Sequence, residues 1–267
     1  IILPAKAGRI GMALYKLILA YDGTDFSGIQ RQGRVRTVQG ELEKSLGELG
    51  WQEKTLLFAG RTDAGVHASG QVATCALDWQ HSSADLRQAL NARLPQDVSI
   101  LEVSTVEAEF HPRYDASSRE YHYTIYHMPV RQPMRERYAW RIWPVLDLER
   151  LEQCAAIIVG KHDFSAFGRA MKNGGNTVRE VLTSRWSTTV DGCRYEIEAN
   201  AFLYHMVRRL VYVQVRYAQG GISLEDVKQG LATGRSLKPG LAPAHGLVLV
   251  NVRYNGKRRE MNEDELN

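Results

Sequence analysis

The sequence predicts an α+β fold, in which two ferredoxin-like (βαββαβ) halves join into one wide mixed, mainly antiparallel sheet with helices on one face and a groove on the other. Three observations predict it. Strand-like and helix-like segments run in the order β-α-β-β-α-β twice along the 267 residues. The pair Asp191-Gly192, between two strand-like runs, is a strong hairpin signal and requires antiparallel neighbours. A hydrophobic content of 44% supplies a full core. The halves repeat an architecture, with no visible repeat of sequence.

In the first half, aliphatic Tyr15 to Tyr21 reads as a strand stopped by Asp22-Gly23. Thr37 caps a helix with Leu42, Leu46 and Leu49 at helical spacing. Short strands follow at Thr55 to Phe58 and Gln71 to Leu77. Ser82-Ser-Ala-Asp85 is a capping box that opens a helix with Leu86, Leu90 and Leu94 on one face, closed by Pro95. Val98 to Val106 is the last strand of this half.

The second half starts with Arg119 to Tyr126, where Tyr121, Tyr123 and Ile125 share a strand face. Leu148, Leu151, Ala155 and Ile158 mark a helix, and Val178 to Thr189 and Cys193 to Asn200 form the hairpin. A longer helix is expected from near Phe202, with Phe202, Met206, Leu210 and Val213 as its apolar stripe; Val211, Val213 and Val215 also fit a strand. Ser223-Leu-Glu-Asp226 opens a short helix, and Leu247 to Val252 is the final strand. The halves are placed at 12–110 and 111–254, with tails at 1–11 and 255–267.

Lys and Arg number 34 against 30 Asp and Glu, a net +4 compatible with a polyanionic partner. Cys75, Cys154 and Cys193 are odd in number and widely spaced, which supports neither a disulfide framework nor a thiolate metal site. No apolar run approaches the roughly 18 residues a membrane span requires. A cytoplasmic setting without membrane attachment is expected.

The densest unusual segment is Ala59-Gly-Arg-Thr-Asp-Ala-Gly-Val-His-Ala-Ser-Gly-Gln-Val72, between two predicted strands. Its glycines let a long loop fold compactly and carry Arg61, Asp63 and His67 at its centre. A guanidinium at Arg61 favours the ionised form of Asp63 and keeps it available as nucleophile or base. A Gly-rich turn with Asp63 bonded to its own backbone is the competing reading. His67 suits a general acid, a phosphate contact or a structural role.

Gly60-Arg-Thr-Asp-Ala-Gly-Val-His67 resembles the active-site signature of the tRNA pseudouridine synthase A family. Further matches follow in family order along nearly the whole chain: Tyr21-Asp-Gly-Thr24, Gln30-Arg-Gln32, Phe110-His-Pro-Arg113, Arg119-Glu-Tyr-His-Tyr123 and Gly160-Lys-His-Asp-Phe164. Asn200-Ala-Phe-Leu-Tyr-His-Met-Val-Arg208 and Ala242-Pro-Ala-His-Gly-Leu247 complete them.

The resemblance implies that Asp63 is the catalytic carboxylate for converting uridine to pseudouridine, by a covalent or a glycal route. It implies that Tyr121 stacks on the target base and helps remove a proton, that Arg208 pairs with the aspartate, and that Leu247 packs on the flipped base. Arg61, His67 and Arg119 are read as further substrate contacts. The resemblance also implies a homodimer with one tRNA anticodon arm spanning both subunits, target positions 38, 39 and 40, and no cofactor or metal.

Two basic segments suit that RNA. Arg31, Arg34 and Arg36 crowd one loop, and Arg131, Arg135, Arg137 and Arg141 alternate with Tyr138, Trp140 and Trp143; guanidiniums neutralise phosphates while rings stack on exposed bases. Arg169 and Lys172 beside Gly174-Gly175 form a second basic loop. Three positions depart from the family pattern: Ile29 replaces a usual Trp, Arg209 a usual Asn, and Tyr212 a small residue. A noncatalytic RNA-binding protein and a glycosidic hydrolase are the alternative functions.

Overall fold

The computed structural model describes residues 11–172, 174–235 and 237–254; the expected tails lie outside them except for Gly11. The first half runs β1 (Ala13–Tyr21), α1 (Val38–Gly47), β2 (Leu57–Phe58), β3 (His67–Leu77), α2 (Ser83–Asn91) and β4 (Val98–Val106). Then come β5 (Ser118–Tyr126), α3 (Pro133–Glu136), β6 (Trp140–Arg141), α4 (Leu148–Ala156), β7 (Gly160–Asp163), β8 (Val178–Thr189) and β9 (Gly192–Ala199). The chain continues with α5 (Met206–Ala218), α6 (Leu224–Thr233), a 3-10 turn (Ala244–Gly246) and β10 (Leu247–Arg253).

These strands form a single sheet in the order β4-β1-β3-β10-β5-β9-β8-β7, with β2 paired to β3 and β6 to β5. Each half has the strand order of a split βαβ module, β4-β1-β3-β2 and β10-β5-β9-β8. The pairings are antiparallel except two: β5 with β6, and the seam where β3 meets β10. That seam is two residue pairs long, Val248 with His67 and Leu249 with Ala68. Further along β3, β2 occupies the same edge at Ala73 and Thr74. The loop between β2 and β3 therefore emerges where the two halves join.

Register fixes which face does what. Tyr21 pairs with Ala68, Ala68 with Leu249, and Leu249 with Tyr121, so these four side chains share one face. Helix α2 covers the same face through Val98 and Ile100, which pair with Tyr21 and Leu19. Helix α5 covers it on the other side: Trp186, beside Tyr195, donates to Gln214 at 2.8 Å. The opposite face carries Glu120, Glu196 and Glu198, which pair with Arg253 and Arg185. The sheet and its helices follow the sequence expectation. Tyr121 lies on the helix-bearing face, and Asp63 meets Arg208 of α5 on that side.

Capping residues set several helix starts. Thr37 accepts from the backbone of Gly40, and Ser82 with Asp85 and Ser223 with Asp226 form complete capping boxes. Helix α5 starts at Met206 and not near Phe202, because Tyr204 exchanges both backbone hydrogen bonds with Arg169 and is held in a β-bridge. Its valines are helical through Ala218. The strand expected at Thr55 to Phe58 shrinks to Leu57–Phe58. Leu17, Leu19, Leu42, Leu46, Leu86 and Leu90 are fully enclosed in the first half, and Tyr123, Tyr195 and Leu210 in the second. The three cysteines are free and buried, and burial pushes each thiol up to about 12. Among the described residues no helix is long and apolar enough to cross a membrane.

The seam depends on Gly70. A Cβ there would lie 2.0 Å from the backbone oxygen of Val250, so the strands approach as they do only because residue 70 has no side chain. Gly70→Ala is expected to cost at least about 2 kcal/mol of stability, measured by denaturant unfolding. Ser69→Ala, at the exposed neighbouring position, serves as the control and should change little.

Candidate active site

Asp63 is carried by the loop between β2 and β3, and the loop is shaped by its neighbours. Gly28 adopts φ +91°, and a Cβ on it would approach the backbone of Thr62 to 2.9 Å, so this position needs glycine on both counts. Ile29 donates its N–H to the Thr62 carbonyl at 3.2 Å, and its side chain is buried, so the isoleucine fills core space beside the loop. Tyr21 bonds the Thr62 hydroxyl at 2.7 Å from below. Burial raises the Tyr21 phenol to about 12, so at neutral pH it keeps its proton.

The Asp63 carboxylate reaches across the seam. Arg208, in the first turn of α5, donates from Nη1 to Asp63 Oδ2 at 2.8 Å and from Nε to the Ala242 carbonyl at 2.9 Å. Both partners of the ion pair are largely buried, at 17% and 19% side-chain exposure, so water screens it less than a surface pair. The guanidinium that serves Asp63 is therefore Arg208. Arg61, expected in that role, is exposed and points to the Met171 sulfur, 3.9 Å from its Nη1. Adjacent loop residues diverge in direction, which sequence spacing does not reveal.

Tyr121 lies beneath the same loop. A Cβ on Gly60 would be 3.8 Å from its hydroxyl, and its ring meets Phe202 edge-on at 5.2 Å. Burial holds the phenol far above its ordinary value, and the nearby Tyr21 and Asp63 reinforce that shift. At neutral pH this phenol keeps its proton. Leu247 is buried at the start of β10, paired with Tyr123, whose hydroxyl donates to the Pro243 carbonyl at 2.8 Å.

Arg119 and His67 take structural positions. Arg119 is 6% exposed, and its guanidinium donates to the carbonyls of Ala59, Ala116, Asn200 and Arg113. A buried guanidinium needs such partners, and here it ties the start of the Asp63 loop to β5 and β9. His67 accepts from the Gly23 N–H at 3.0 Å through Nδ1, and its Nε2 lies 3.2 Å from the His245 carbonyl. Burial lowers its proton affinity, opposed by the Asp22 carboxylate, whose Oδ1 lies 3.1 Å from Nδ1. It clips the end of β1 to the turn before β10.

The basic segments are largely paired with acids of the same chain. Arg31 bonds Glu43 at 2.7 Å, and Arg36 bonds Asp97 and Glu41. Arg135 is in contact with Asp191, Arg131 with Glu136, and Arg137 with Asp22, which also accepts from Tyr138. The departures at Arg209 and Tyr212 form one unit: Arg209 donates to the carbonyls of Gly240 and Leu237, and the Tyr212 ring fills the space a Cβ on Gly240 would need.

His205 is a site residue that the sequence reading passed over. Its Nε2 lies 3.4 Å from Asp63 Oδ2, and its backbone has φ +65°, the left-handed region that non-glycine residues seldom enter. The signal was present, since it lies three residues before Arg208 in the quoted segment.

The site thus joins a carboxylate held by a largely buried guanidinium to an enclosed tyrosine, on a loop at the sheet seam. A family model described as tRNA pseudouridine synthase matches residues 17–115 and 154–255. The chain is 41% identical over 251 residues to a tRNA pseudouridine synthase A of Solidesulfovibrio magneticus, covering 91% of this chain and 92% of that one. It is 40% identical to one from Roseiflexus castenholzii over 242 residues, 89% of each, and 36% identical to one from Syntrophotalea carbinolica over 244, 91% and 97%. The chain belongs to the tRNA pseudouridine synthase family.

Arg119→Met is expected to destabilise the fold by about 3 kcal/mol, because it leaves buried carbonyls without donors. Thermal or urea melts check this, and an unchanged midpoint would show that the guanidinium staple carries no stability.

Proposed function

We propose that this protein isomerises uridine to pseudouridine in the anticodon arm of tRNA, at positions 38, 39 and 40, with Asp63 as its catalytic carboxylate. The observation that carries the reading is the Asp63–Arg208 pair spanning the seam of a chain in this family. The chemistry needs the C1′–N1 bond broken, the uracil turned, a C1′–C5 bond made, the C5 proton released and N1 protonated. Nothing is oxidised or reduced and no group is added, so acid–base and nucleophilic side chains supply what the reaction requires. Asp63 serves either by attack on C1′ or by taking the C2′ proton as a glycal forms. Arg208 orients the carboxylate through the 2.8 Å bond to Oδ2. Tyr121 stacks on the uracil, and Leu247 closes the apolar wall behind it.

The same reading includes a cytoplasmic homodimer in which one anticodon arm spans both subunits, and halves divided at 12–110 and 111–254. The division is supported by the repeated strand order, and the compartment by three buried free thiols. Arg61, with Arg34, Arg169 and Lys172 in exposed loops, is the best-placed set for phosphate. Arg31 and Arg135 reach RNA by exchanging Glu43 and Asp191 for phosphate.

Purified protein incubated with tRNA is expected to yield pseudouridine, while free uracil would indicate a hydrolase and unchanged RNA a binding protein. Asp63→Asn is expected to slow turnover by more than about a thousandfold while tRNA binding is kept. Wild-type turnover by that variant would remove Asp63 from the chemistry. Mapping pseudouridine by position in tRNA from cells lacking the protein tests the anticodon-arm assignment.

A further inference from the structure

We propose that His205 is a positioning residue for Asp63: together with Arg208 it fixes one carboxylate oxygen, Oδ2, and thereby assigns the other, Oδ1, to the substrate. The proposal rests on the reading of Asp63 as the reacting carboxylate. Both contacts converge on a single atom, Arg208 Nη1 at 2.8 Å and His205 Nε2 at 3.4 Å from Oδ2. Oδ1 has no polar partner among the described residues. The terminal torsion of an aspartate is broad and roughly two-fold, so one donor leaves the carboxylate free to rock or exchange its oxygens. A second donor on the same oxygen from another direction removes that freedom.

The backbone is built to deliver the ring. Tyr204 is held to Arg169 by two backbone hydrogen bonds, 2.9 and 3.2 Å, and the first hydrogen bond of α5 runs from Arg209 N–H to the His205 carbonyl, 3.0 Å. The chain passes from bridge to helix within one residue, and the left-handed conformation of His205 makes that turn. The ring stacks on Tyr204, centroids 3.7 Å apart and planes at 28°. A non-glycine residue in this conformation is held there by its surroundings, and such positions gather at functional sites. The 3.4 Å separation closes with a small ring movement, as site contacts in unliganded proteins commonly do when substrate arrives.

Charge explains why a histidine suits the place. Burial lowers its proton affinity, Arg208 and Arg169 lower it further, and Asp63 opposes them. The ring is neutral at neutral pH, so it offers an N–H without adding a second cation. A cation there would hold the carboxylate more firmly and blunt its reactivity; a neutral donor orients it and leaves its charge intact.

Single-turnover pseudouridine formation and tRNA affinity, measured for His205→Gly and His205→Gln, test this. Glycine keeps the left-handed backbone and deletes the ring, while glutamine carries an amide N–H at about the reach of Nε2. The glycine variant is expected to lose about ten- to a hundredfold in rate with tRNA affinity within about twofold, and the glutamine variant to stay within about threefold of wild type. Wild-type turnover by His205→Gly overturns the proposal, and so does a glutamine variant as slow as the glycine one. Asp63→Asn is assayed alongside. If it is inactive while His205→Gly is unimpaired, only the role of His205 falls; if it is active, the reading of Asp63 falls and this proposal with it.

Discussion

The two-pair parallel contact between β3 and β10 is the constraint from which the rest of the structure follows. It is short because β2 claims the remainder of the β3 edge, and close because Gly70 has no side chain. Joining the sheets there brings the loop after β2 under the first turn of α5. Asp63 and Arg208, 145 residues apart in sequence, become neighbours by this route. His67 and Arg119 brace the same junction from its two sides, one clipping the turn before β10 and the other the start of the loop. His67, close to the carboxylate in sequence, and Arg119 of β5 thus hold the frame, and the residue that pairs with Asp63 comes from the far half.

Electrostatics then divide the surface. On the bare face, Glu120, Glu196 and Glu198 are matched by Arg253 and Arg185. Arg31, Arg36, Arg135 and Arg137 are likewise matched by acids of the same chain. Counting basic residues overstates the free positive charge. The acids Glu43, Asp97, Asp22 and Asp191, scattered in sequence, cancel much of it once the chain folds.

Much of this was legible in the sequence where local rules govern. The capping boxes at Ser82 and Ser223, the strand from β5 and the hairpin of β8 and β9 follow from patterns of a few residues. The loop carrying Asp63 stood out through its glycines, and Arg208 through the resemblance of its segment to the family pattern. What the sequence hid was set at long range. The late start of α5 depends on a bridge to Arg169, the direction of Arg61 on Met171, and the face that Tyr121 occupies on the register of four strands. His205 stood within the Asn200–Arg208 segment, but the left-handed backbone that sends its ring toward Asp63 is set by the Tyr204 bridge to Arg169, a long-range contact.

One guanidinium has two tethers, and the second matters when the first lets go. Under the role proposed for Asp63, whether it bonds to the sugar or takes a proton from it, the carboxylate would lose its negative charge for part of the cycle. Arg208 is then without its anion, yet its Nε remains on the Ala242 carbonyl. The side chain does not wander into solvent and need not be recovered from it. When the product departs and the anion returns, the cation is already waiting, so resetting the site costs little reorganisation.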